Sequence, residues 1–208
     1  MSSSAPLPDL GTDGVELETE RLVLRIPSPA DAGLVADYFH RNHEHLAEWE
    51  PARPQGFYTP AFWEPRIELY LQEAREGRGM RLFIFPKPSG AKKSSARIIG
   101  TVGIANIVRG AFWCAHLGFG LDGASTGKGL MHEALRAVIA HAFGPVNLHR
   151  LEANHQPHNL ASAKTLRRLG FVPQGFARDY LFIAGEWRDH VQTALLNPDW
   201  KPPSAERL

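Results

Sequence analysis

Two glycines bracket a lysine at Gly127-Lys128-Gly129, directly ahead of an apolar repeat at Leu130, Ala134, Leu135, Val138, Ile139 and Ala142. That spacing is one buried face of a helix. The first N–H groups of such a helix lack intrahelical acceptors and lie at the positive end of its dipole. Glycine lets a ligand approach them closely, and Lys128 adds a cation. The chemistry this suits is the holding of phosphate. A Walker loop is excluded, because Asp122 stands where its first glycine is due and Gly129 stands where Ser or Thr must follow the lysine. A dinucleotide fingerprint is excluded by His132 at its third glycine. A tight strand-to-helix turn without a ligand is the alternative this stretch alone leaves open.

The loop has to be positioned by the elements around it. Residues 1–14 are small, polar and Pro-rich, a flexible lead-in, and residues 201–208 read as a tail. Arg21 to Ile26 alternates as a first strand, and Ser28-Pro29-Ala30-Asp31 opens a helix to about Phe39 in the manner of a capping box. An irregular aromatic stretch follows from Leu46 to Tyr58. Thr59-Pro60 starts a second helix with Phe62, Trp63, Ile67, Tyr70 and Leu71 inward and Gly77 as its stop. Met80 to Phe85 is a strand, and Pro86 to Ser95 a polar loop. Arg97 to Val108 and Ala111 to Leu121 make a hairpin through Arg109-Gly110. The glycine-loop helix ends at Gly144-Pro145. A strand at Leu148 to Ala153, a helix at Asn159 to Leu169 and a hairpin turned at Ala184-Gly185 complete the chain. The order β-α-α-β-β-β-α-β-α-β-β predicts a mixed α/β sheet with the loop at the C-terminal end of a middle strand.

Composition excludes several function classes. With a net charge of +1 and no basic block beyond Lys92-Lys93, nothing points to nucleic acid. The single cysteine, Cys114, rules out an internal disulfide and argues against a cysteine zinc site, so no metal is expected. No apolar run is long enough to span a bilayer and the start lacks a signal-peptide core, so a cytoplasmic protein is expected.

In this order, four segments resemble the GNAT acyltransferases that use acetyl-CoA. They are Glu18 to Arg25, Leu117 to Leu121 running into Gly127 to Leu135, Asn159 to Ser162 running into Leu169 to Phe171, and Arg178 to Leu181 with Gly185 to His190. Within that superfamily Trp49-Glu50-Pro51, Val108 to Gly110, Gly127 to Met131 and the last hairpin are similar to the RimJ/RimL group of ribosomal-protein N-terminal acetyltransferases, and most of all to its RimJ branch. The likeness runs from Leu17 to Trp200 and implies a single acetyltransferase domain over residues 15–200.

The resemblance also implies site residues. The family's phosphate loop falls on Thr126, Gly127, Lys128, Gly129, Leu130 and Met131, with Thr126 in place of Gln or Arg and Met131 in place of a small residue. The pantetheine arm would pair along Phe119, Gly120 and Leu121, and a strand N–H near Phe119 would face the oxyanion. Asn159, with Ser162 one turn on, maps to the family's asparagine, and also reads as a plain helix N-cap. The family's tyrosine acid is replaced by Leu166, as in RimJ-like chains, which leaves His158 and Ser162 as candidates to protonate the thiolate. The general base of many relatives is a Glu, and His116 stands in its position. Glu50 would bind the incoming ammonium or relay its proton, with Asp179 and Tyr180 further candidates on the acceptor side. Trp49, Phe57, Tyr58, Phe62 and Trp63 would wall the acceptor groove or pack as core. The implied reaction is acetylation of a ribosomal protein's N-terminal alanine, whose α-amine has an ordinary pKa of about 7.7–8.0. A small amine such as an antibiotic or polyamine, or a non-catalytic coenzyme-binding module, are the alternatives. The oligomeric state is left open.

Overall fold

The computed structural model describes residues 15–88 and 97–203. The lead-in of residues 1–14, most of the polar loop with Lys92-Lys93, and the end of the tail from residue 204 lie outside the described residues.

Eight strands form one sheet: β1 (Glu16–Glu18), β2 (Leu22–Arg25), β3 (Met80–Pro86), β4 (Gly100–Val108), β5 (Cys114–Leu121), β6 (Arg150–His155), β7 (Val172–Ile183) and β8 (Glu186–Leu196), in the spatial order β1-β2-β3-β4-β5-β6-β8-β7. All neighbours are antiparallel except β5 and β6. A parallel pair needs a crossover, and α4 (Leu130–Phe143) supplies it. The other helices are α1 (Ala32–Arg41), α2 (His43–Ala47), α3 (Pro60–Arg75) and α5 (Leu160–Arg168). Two elements go beyond the sequence expectation. β1 is only three residues long, and α2 five, too short for either periodicity to register.

Strand alternation divides the core between the two faces of the sheet. In β3, Leu82 and Ile84 join a cluster with Leu135, Val138, Leu151 and Leu166, while Phe83 and Phe85 join one with Phe39, Trp63 and Ile67. Burying a side chain such as Leu135 contributes ~2 kcal/mol. The expected inward face of α4 needs one correction. Met131 is buried, whereas Leu130 and Ile139 are only partly so. Because the helix starts at Leu130, Met131 falls on the sheet-facing stripe with Ala134, Leu135 and Val138.

The Ser28–Asp31 capping box forms, ahead of a single 3-10 turn, Pro29–Asp31, that leads into α1. Thr59 has the extended backbone of a cap, but its hydroxyl donates to the Gly56 carbonyl at 2.7 Å and does not cap α3. The last hairpin turns where expected, with Ala184 at φ 52° and Gly185 at φ 82°, as a two-residue primed turn requires. Among the described residues, no helix is long and apolar enough to cross a membrane.

Candidate active site

β5 and β6 separate like the arms of a fork. Their parallel ladder runs Cys114↔Arg150, Ala115↔Leu151 and His116↔Glu152, and there it stops, although β5 continues to Leu121 and β6 to His155. Beyond that rung each arm stays paired on its outer side, β5 with β4 and β6 with β8. The inner edge of β5 over Leu117, Gly118, Phe119, Gly120 and Leu121 is therefore left without a strand partner. A Cβ on Gly118 would meet nothing within 4 Å, so the sheet face over this stretch is open as well. An unpaired edge facing a cleft can take an extended amide chain as an added strand.

His116 stands at the crotch of the fork. Its Nε2 lies 3.4 Å from the Glu152 carboxylate, which Arg150 also holds at 2.7 Å. On the other side the β4 bulge brings Asn106, at φ 53°, to 3.4 Å from the His116 Nδ1. Cys114 on the same strand is not a nucleophile. Burial, aided by the Glu152 charge, pushes its thiol up to about 11.

At the far end of β5 the glycine loop is built on two left-handed residues, Gly127 at φ 75° and Gly129 at φ 74°. L-residues rarely adopt that conformation, and this explains why both positions are glycine. The Glu133 N–H is the first of α4 to find an acceptor, the Gly129 carbonyl at 3.1 Å. The preceding N–H groups are the unpaired donors of a helix start. The Lys128 ammonium has a partner within the loop. It folds back onto the Ala124 carbonyl at 2.7 Å, and Arg21 reaches the Lys128 carbonyl at 3.1 Å. Glu133 ties the N-terminal segment to the loop, taking the Arg21 N–H and side chain at 2.8 and 2.6 Å. Burial opposes its charge, but the bonds from Thr19 and Arg21 outweigh it and lower its pKa.

Beside this loop a cavity of about 570 Å³ is lined by Thr19, Arg21, Gly129, His132, Glu133 and Arg136. A second of about 330 Å³ shares His132 and Arg136 and continues to Arg168 and Leu169. These cations were missed in the sequence. The usable signal was Arg136 standing four residues after His132, on one face of the helix the loop opens. Asp122 was missed too, and it anchors the start of the loop: its carboxylate takes Arg41 at 3.0 Å, Arg97 at 2.7 Å and the Ala124 N–H at 3.0 Å.

On the opposite arm Asn159 caps α5, its Oδ1 accepting the Ser162 N–H at 3.0 Å. His158 is solvent-exposed, pairs with Glu48 at 3.1 Å and lies against Trp49 with ring centroids 5.2 Å apart. Glu50 pairs with Arg53, and its carbonyl accepts from the Ala184 N–H at the tip of the last hairpin, so the aromatic stretch and that hairpin meet. Phe57 and Trp63 are core residues packed edge-on and stacked against Phe39, Phe62 packs against the same cluster, and the exposed Tyr58 meets Phe57 edge-on, so of the proposed groove wall Trp49 alone stands apart from that core. Tyr180 sits in an irregular stretch of β7 after Asp179, whose φ is 47°, and donor and acceptor lie 3.2 Å apart where its hydroxyl meets the Asn154 amide.

The family profile of the acetyltransferase (GNAT) domain matches residues 21–172. The ribosomal protein uS5-alanine N-acetyltransferase of Escherichia coli (strain K12) is 40% identical over 188 residues, 90% of this chain and 94% of the relative. The crystal structure of a ribosomal-protein-S5-alanine acetyltransferase from Vibrio fischeri superposes with a TM-score of 0.83 at 39% identity, over 90% of this chain and all of that one (100%). Mycobacterium smegmatis RimJ, solved with CoA-disulfide, superposes with a TM-score of 0.77 at 27% identity, over 94% of this chain and 92% of that one.

Proposed function

The chain belongs to the acetyltransferase (GNAT) family, and on that premise we propose that it moves acetyl from acetyl-CoA to the N-terminal α-amine of an alanine on a ribosomal protein. The names of the relatives support the acceptor. The fork between β5 and β6 carries the rest: an open strand edge for an amide-bearing arm, running toward a glycine loop whose free N–H groups suit a diphosphate. Residues 15–200 act as one domain in this reading, and the cytoplasm, where ribosomal proteins are made, is its place of work.

Acetyl-CoA supplies the activated acetyl group; the chain does the rest. A backbone N–H near Phe119 steadies the charge that develops on the acetyl oxygen. His116 takes the amine's proton, directly or through one water, and its pairing with Glu152 suits it to carry the positive charge it gains. Ser162 and His158, on the segment after β6, are the donors for the departing thiolate. A polycationic small amine fits less well, since Glu50 and Glu152 already hold arginines of the chain itself and Glu48 is paired with His158.

Intact-mass measurement tests the reaction. After incubation with acetyl-CoA, a peptide headed by alanine is expected to gain one acetyl group, and the same peptide with a blocked N-terminus none. No gain on any free N-terminus would remove the reading. Steady-state kinetics tests the base: His116→Ala is expected to lower kcat ~10²-fold with acetyl-CoA affinity unchanged. An unaltered kcat would take His116 out of the mechanism.

A further inference from the structure

One residue on the acceptor side was singled out neither by its motif nor by the family pattern. Asn154 follows Glu152 on the same face of β6, two residues past the last β5–β6 rung. Had the ladder continued, it would lie opposite Gly118, where a side chain would meet nothing within 4 Å. The Asn154 amide is half satisfied. Its Nδ2 meets the Tyr180 hydroxyl at 3.2 Å, while its Oδ1 is buried without any hydrogen-bond partner. A buried amide oxygen left unpaired costs free energy unless something else supplies a donor.

The groups that fix Asn154 are themselves fixed. Tyr180 crosses from β7 over β8, and its ring rests against His190 with centroids 5.5 Å apart. His190 is buried and donates from Nδ1 to the Arg188 carbonyl at 2.9 Å. Burial lowers the His190 pKa and keeps the ring neutral, so this support adds no charge at the fork. The Asp179 N–H bonds the Asp189 carboxylate at 2.9 Å and sets the irregular turn that aims Tyr180 inward.

We infer that Asn154 is an acceptor-binding residue whose side-chain amide takes a hydrogen bond from the N-terminal amine of the incoming protein, with Tyr180 as its positioning residue. This rests on the acetyl-transfer reading above. A neutral amide suits the task better than a carboxylate. It receives an N–H without holding the amine as ammonium, and the transferable form of the amine is the neutral one. The titratable and charged groups on this face are His116 from β5, Glu152 and Arg150 from β6, Tyr180 from β7, and Arg188 and His190 from β8, with Glu48 and His158 on the flanking segments.

The experiment is steady-state kinetics with an alanine-headed peptide, together with calorimetric titration of acetyl-CoA. Asn154→Ala is expected to raise the peptide KM about tenfold, the loss of roughly one hydrogen bond, and to leave acetyl-CoA affinity unchanged. Tyr180→Phe should move the same constant in the same direction by less. Asn154→Asp gives the readout a merely structural role would not move. A carboxylate beside the bound amine favours its ammonium form, so the rise of kcat with pH shifts to higher pH. An unchanged peptide KM in Asn154→Ala, or an unshifted kcat profile in Asn154→Asp, overturns the inference while leaving the reaction standing. Equal losses in peptide KM, acetyl-CoA affinity and melting temperature overturn it as well, by making Asn154 structural. Failure of the unaltered protein to acetylate any free N-terminus overturns the reaction itself.

Discussion

Gly129→Glu is expected to abolish measurable acetyl-CoA binding while the protein still folds. Two costs separate. The backbone cost comes from φ 74°, where an L-residue costs roughly 1–2 kcal/mol. In a domain of this size each kcal/mol lowers Tm by about 2–4 °C, so the melting temperature drops by less than ~8 °C. Space is no obstacle, because a Cβ there meets only Arg21 Nη2 at 3.7 Å, an ordinary contact. The binding cost is larger. A carboxylate at the mouth of the free N–H groups competes for the site a diphosphate would take, and a like charge about 4 Å away opposes the ligand by ~4 kcal/mol at a near-surface dielectric. Affinity should fall at least ~100-fold by calorimetry. Gly129→Ala carries the backbone cost without the charge and should weaken binding less than ~10-fold. Wild-type affinity in Gly129→Glu would remove the loop from the binding site.

Much of this site is visible in the residues, and the reasons for the remainder are specific. The loop was legible because Gly127 and Gly129 are obligatory at a left-handed backbone, and such constraints act on single residues. The last hairpin was legible for the same reason at Gly185. Asn159 served both as a motif residue and as a cap, and its bond to the Ser162 N–H accounts for the cap. The fork itself had no local signature. It depends on where a parallel ladder ends, and β5 and β6 carry ordinary alternation up to and past His116↔Glu152. Asn154 was overlooked for that reason, since its setting exists only when Tyr180, 26 residues on, bends back to it. The aromatic stretch left groove wall and core both open. Trp49, Phe57 and Trp63 look alike in sequence, yet Trp63 stacks on Phe39 and Phe57 meets it edge-on in the core, while Trp49 lies against His158 near the surface. The bond from Lys128 to the Ala124 carbonyl had no local signal, because a cation beside glycines can serve a ligand or the loop's own carbonyl.

Asp122→Ala should be the most damaging single truncation near the site. The carboxylate side chain is only 4% exposed, and it gathers Arg41 from α1, Arg97 from the segment before β4, and the Ala124 N–H at the head of the loop. Its neighbour Gly123 donates to the Asn42 Oδ1 at 3.1 Å, so α1 and the loop share one polar clasp. Removing one member of a buried pair costs 3–5 kcal/mol in general. Here Arg41 keeps Asp37 and the Ile98 carbonyl, and Arg97 is 47% exposed and can rehydrate. The expected loss is therefore ~2–3 kcal/mol, a fall in Tm of about 5–10 °C. Acid should reproduce part of it. Burial alone would raise the Asp122 pKa, but the bonds from Ala124, Arg97 and Arg41 outweigh it and hold the pKa below the ordinary 3.8. A carboxylate with a depressed folded-state pKa contributes stability that is complete above the unfolded value and lost as pH falls through the folded one. Relative to Asp122→Asn, the unaltered protein should hold its advantage in urea from neutral pH to about pH 4 and lose it below. An advantage that persists undiminished at lower pH, or a Tm that Asp122→Ala leaves within ~2 °C, would mean that the clasp does not hold the loop in place.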